Sequence, residues 1–92
     1  MKVMATWTVR SGAVRDAVNR FLTTGGKPPE GIKLLGRWHK TDSSGGFALF
    51  ETDSPAALAA ASAEWTDVLE LHDHVVLEDA EAAPVLAKVF GK

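Results

Sequence analysis

Three segments of this chain are apolar at successive positions: Leu34-Leu35, Phe47 to Phe50 and Val75 to Leu77. Successive residues of a strand point to opposite faces of its sheet. A strand with one wet face therefore alternates apolar and polar side chains. Runs without alternation need cover on both faces. The chain has 92 residues, enough for one domain, 1–92. A chain this short buries only roughly two-thirds of its unfolded surface. It has no cysteine, so neither disulfides nor thiolate chemistry contribute. One helix layer covers one sheet face, and the second face calls for another partner.

The remaining patterns supply the elements. Val3, Ala5, Trp7 and Val9 alternate with Lys2, Met4, Thr6 and Thr8, which predicts a first strand. Ser11 is the expected N-cap of a helix carrying Val14, Ala17, Val18, Phe21 and Leu22 on one side and ending at Gly25-Gly26. Residues 24–31 read as a loop. Ile32 to His39 and Phe47 to Thr52 read as strands flanking the turn-rich segment 40–46. Asp53-Ser54-Pro55 opens a second helix, with Leu58, Ala61, Ser62 and Trp65 along one side. Leu69 to Leu77 predicts a fourth strand. Ala80 to Phe90 predicts a short tail helix, its regular part beginning near Ala83 because of Pro84.

The order β-α-β-β-α-β plus a tail helix is the ferredoxin-like arrangement of an α+β fold, with a four-stranded antiparallel sheet. With both sheet faces apolar, the expected solution is a homodimer packed sheet on sheet, a dimeric α/β barrel. The alternative is a monomer whose tail helix folds under the sheet.

Charge narrows the partners. Ten Lys+Arg stand against 12 Asp+Glu, a formal net charge of -2, and the charges are scattered. No electrostatic footprint for nucleic acid or anionic lipid is present. No apolar run approaches the ~20 residues of a membrane span, and the N-terminus lacks a signal-peptide core. The expectation is a soluble cytoplasmic protein partnered by itself, without nucleic acid or membrane.

The strings MATWTVR, FLTTGGKPPEGIKLLGRWHKTDSSGGFALFET and the segment from Trp65 through VLEDAEAAPVLAKV resemble a family of short bacterial proteins, DUF3303, a domain of unknown function. The resemblance covers nearly the whole chain, and GRWH (Gly36 to His39) followed by FALFET is its most specific part. It implies the fold of the dimeric α/β-barrel superfamily. That superfamily includes monooxygenases of antibiotic biosynthesis, haem-degrading enzymes, stress-responsive barrels, small cyclases and regulatory effector domains. It implies no particular catalytic residues. The Trp38-His39 pair belongs to the family's pattern, whereas the histidines of LHDHVV do not.

Several residue groups are candidates for chemistry. His72 and His74 sit one residue apart, hence on one side of a strand. Such a pair can supply two metal ligands but needs a third, which His39 of a second subunit can provide in a barrel. Incidental imidazoles are the simpler reading, so no metal and no cofactor are expected. Arg37, Trp38 and His39 can clamp a carboxylate, stack on a flat ligand and move a proton. Packing of Trp38 in the core or dimer contact and solvation of Arg37 are the simpler reading of that trio. Trp7, Phe47 and Phe50 can line a pocket, whereas Trp65 at helical spacing reads as core. The glycine-rich segments lack phosphate-loop spacing.

The primary expectation is a homodimeric barrel binding a small aromatic or apolar organic ligand between sheet and helices, near Trp7, Trp38 and His39. The candidate ligand-binding residues are Trp7, Trp38, Phe47, Phe50, His72 and His74. The alternative is a cofactor-independent enzyme of monooxygenase or cyclase type in a specialised metabolic pathway, with His39 as acid/base and Arg37 as the anion partner. A third reading is a structural or regulatory dimer with a filled barrel.

Overall fold

A computed structural model describes residues 1–91. The elements are β1 (Lys2–Val9), α1 (Val14–Thr24), β2 (Lys33–His39), β3 (Gly45–Glu51), α2 (Pro55–Ala63), β4 (Leu69–Val76) and α3 (Asp79–Phe90). The strands form one antiparallel sheet in the order β2-β3-β1-β4. This is the ferredoxin-like fold with an added C-terminal helix.

Local chemistry sets the boundaries. Gly25 ends α1 in the left-handed conformation (φ 70°), its N–H donating to Phe21 O. Ser54 caps α2, its Oγ accepting from the Ala57 N–H at 3.0 Å, with Pro55 in the first turn. In the β2–β3 turn the Asp42 carboxylate accepts from the N–H and Oγ of Ser44. Those bonds hold Asp42 below the ordinary carboxylate value.

Three boundaries differ from expectation. Ser11 does not cap α1: Gly12 (φ 78°) inserts a turn, and the N-cap position falls on Ala13 without a side-chain bond. β3 begins at Gly45 rather than Phe47, because Gly45 and Gly46 serve close packing rather than the turn. α3 starts at Asp79, ahead of Pro84, with the Glu81 carboxylate accepting from the Glu78 N–H. Pro84 removes one internal hydrogen bond, which an exposed helix replaces with water.

The six most buried apolar residues are Val3, Ala5, Ala17, Ala48, Val68 and Leu69. Ala17, Val68 and Leu69 form a cluster ringed by Trp7, Val9, Ala13, Trp65 and Leu71. This cluster joins helices to sheet at one end of the layer. Arg20 reinforces that end through a two-pronged ion pair with Asp67 and a bond to Glu64 O. No residue of α3 is buried. The molecule measures 53 × 28 × 18 Å with a radius of gyration of 15.5 Å, against about 12 Å for a compact domain of this length. The tail helix thus projects from the body and does not fold under the sheet. Among the described residues no helix is long and apolar enough to cross a membrane.

Candidate functional site

The register places residues in cross-strand rows. On the face toward α1 and α2, one row runs His39, Gly46, Trp7, Leu71 and the next runs Arg37, Ala48, Ala5, Asp73. A third runs Leu34, Phe50, Val3, Val75. On the opposite face the corresponding rows are Trp38, Phe47, Thr6, His72 and Gly36, Leu49, Met4, His74.

A β-bulge decides which side chains of β2 face the helices. Leu34 pairs with Phe50 and Gly36 with Leu49, so Leu35 is the extra residue. Strict alternation from Leu34 would put Gly36 and Trp38 beneath the helices. The bulge reverses the parity and turns Arg37 and His39 inward instead.

The inner face carries small residues along its middle: Gly46, Ala48 and Ala5. Helices spaced by the larger flanking side chains cannot close onto that strip. A cavity of about 200 Å³ remains between sheet and helices. Trp7 and Phe50 wall it from the sheet, and Phe21, Leu58 and Trp65 line it from the helix side. Arg37, His39, Lys27 and Lys40 lie at its β2 end, and Asp73, Ser62 and Glu64 at its β4 and α2 side.

Arg37 is held in place. Its Nη2 donates to Gly26 O and its Nη1 more weakly to Gly25 O, at the C-terminus of α1. The guanidinium carbon lies 5.4 Å from the centre of the Phe21 ring. Gly26 makes room for this packing: a Cβ there would meet Nη1 at 2.7 Å and the Phe21 ring at 2.8 Å. Burial pushes the guanidinium below its ordinary value, yet an arginine stays charged at neutral pH. Among the described residues no carboxylate pairs with it.

The His39 ring stands at the cavity edge, edge-on to Trp7 at 5.8 Å and tilted against Phe21 at 5.0 Å. At the other side, the Ser62 hydroxyl donates to Asp73 Oδ2 at 2.8 Å.

The sequence matches the family model "Domain of unknown function (DUF3303)" over residues 1–90. The chain belongs to the DUF3303 family. No curated protein matches it. Two solved structures are similar to this DUF3303 chain. One, an uncharacterized NIPSNAP domain protein from Burkholderia xenovorans, is 13% identical with a TM-score of 0.46, over 84% of this chain and 95% of its own. The other, Rv0793 from Mycobacterium tuberculosis, is 16% identical with a TM-score of 0.47, over 86% and 96%.

Of the residues singled out from the DUF3303 sequence, the cavity gathers Trp7, Phe50, Arg37 and His39. It does not gather Trp38, Phe47, His72 or His74, all on the opposite face. Trp38 and His39 are neighbours on one strand, so a single pocket cannot receive both. Within one chain the three histidines are likewise divided between two faces and two opposite sheet edges, and no His39/His72/His74 cluster forms there. His72 instead meets Glu70 at 3.2 Å on its own strand. Among the described residues no three metal-ligating side chains come together. Sequence reasoning missed Phe21, Leu58, Asp73 and the Ala48–Ala5 floor. Only the floor carried a signal, small residues at the helix-facing positions of two central strands.

Proposed function

We propose that this DUF3303 chain is a small-ligand-binding protein that uses the cavity between sheet and helices to hold an aromatic or apolar organic molecule. The observation that carries this is the cavity itself, floored by Ala48 and Ala5 and walled by aromatic rings. An apolar hollow with a few polar groups at its ends is the ordinary form of a small-molecule site. Filling it provides the test. Ala48→Leu should abolish quenching of tryptophan fluorescence by a flat aromatic probe such as 2-naphthamide, while the circular dichroism spectrum stays unchanged. Quenching that is absent in the wild type, or undiminished in Ala48→Leu, contradicts the reading.

The protein acts as a homodimer in this reading. Its outer sheet face presents Phe47 at 42% and Trp38 at 57% exposure beside Leu49 and Met4. A second copy packed on that face is the simplest cover for it. A purely structural or regulatory dimer is less well supported, because it gives the hollow under the helices no role.

The enzyme reading places His39 as acid/base and Arg37 as anion partner, and the cavity-edge position of the His39 ring favours it. His39→Gln should then abolish turnover of a bound substrate without weakening its binding. Binding is preferred over catalysis because aromatic neighbours hold His39, with no carboxylate or carbonyl partner among the described residues to set its tautomer.

A further inference from the structure

Arg37 and Asp73 occupy the two ends of one cross-strand row, with only Ala48 and Ala5 between them. Three strand spacings separate the ends, roughly 14 Å of backbone. The charge around the cavity is sorted the same way. Of the charged residues that line it, Lys27 and Arg37 belong to the end beneath the α1 C-terminus, and Asp73 and Glu64 to β4 and α2, whereas the Lys40 ammonium turns to the Phe47 ring on the opposite face.

Each end retains unused hydrogen-bonding capacity. Arg37 spends one hydrogen on each of two backbone carbonyls. That leaves the Nε–H and a second hydrogen on each Nη. Asp73 accepts from Ser62 through Oδ2 only, and its other oxygen has no partner among the described residues. Helix C-terminal carbonyls and the Phe21 face fix the guanidinium without neutralising it. The floor between the ends is flat because Ala48 and Ala5 carry a single methyl each. A ring lying there is bounded along the strands by Trp7 and Phe50.

We propose that the cavity takes a flat aryl carboxylate bearing a hydroxyl or amino group at its far end, its carboxylate on Arg37 and its donor on Asp73. This rests on the reading of the cavity as a site for an organic ligand, and it assigns that ligand's class and direction. The bland role of Arg37, a tie between β2 and the end of α1, leaves Asp73 and the sorted charges without a part.

Calorimetric titration of the intact protein with four probes tests the proposal: 6-hydroxy-2-naphthoate, 6-hydroxy-2-naphthamide, 2-naphthoate and 2-naphthamide. Exchanging carboxylate for amide should weaken binding about tenfold or more, and removing the hydroxyl should weaken it several-fold. Arg37→Gln should erase the carboxylate preference and keep the hydroxyl preference, and Asp73→Ala should do the reverse. The acid–amide comparison in the wild type stands even if a variant fails to fold. Equal binding of acid and amide, or a carboxylate preference that survives in Arg37→Gln, overturns the proposal while leaving a ligand cavity. Failure of all four probes, 2-naphthamide included, overturns the ligand reading with it.

Discussion

The indole of Trp7 lies across Gly46, its register partner on β3, so closely that a Cβ at position 46 would overlap the six-membered ring. The same Cβ would run into the carbonyl oxygen of Trp38. The ring can shift, but a carbonyl within a strand pair cannot move without breaking the ladder. Gly46→Ala is therefore expected to destabilise the fold by about 1–3 kcal/mol, read from urea denaturation. Near-ultraviolet circular dichroism should change as Trp7 leaves its place. An unaltered midpoint and spectrum would mean that the indole does not rest on Gly46.

A pH-dependent contribution comes from Asp67. Two-pronged hydrogen bonding from Arg20 lowers its carboxyl from 3.8 to about 2. A depressed folded value means the unfolded state takes up the proton first as pH falls. The contribution is complete above 3.8 and is lost between there and about 2. The stability difference between wild type and Asp67→Asn should shrink across that window and level off below it. The group is exposed, so the effect is small and should fade in high salt. A difference that stays constant from pH 5 to pH 2 would contradict the pairing.

The fold was legible because alternation in β1, the one-sided pattern of α1 and the Ser54-Pro55 helix start each agree with the final topology. The site was only half legible. Parity along β2 depends on the bulge at Leu35, and nothing in KLLGRWH marks which residue is extra. Without it, Arg37 and His39 fall on the wrong face. Gly45 and Gly46 read as turn residues because glycine serves turns and close approaches alike. Asp73 went unnoticed between two more conspicuous histidines that point the other way.

The outer face leads to a prediction about assembly. Thr6 sits between Phe47 and His72 at its centre. Thr6→Arg places a charge in the proposed contact between copies. Light scattering should show a dimer for the wild type and a monomer for this variant, with unchanged far-ultraviolet circular dichroism. A wild-type monomer at micromolar concentration would remove the dimer from the account.

The tryptophans give the most direct test of the cavity, because they divide between the two faces. Trp7 and Trp65 line it, whereas Trp38 lies on the opposite side of the sheet. Their indole N–H signals can be followed by nuclear magnetic resonance in ¹⁵N-labelled protein during titration with 6-hydroxy-2-naphthoate. The account predicts saturable shifts at Trp7 and Trp65 and a stationary Trp38. A shift at Trp38 alone, or none at Trp7, would contradict a ligand site between sheet and helices.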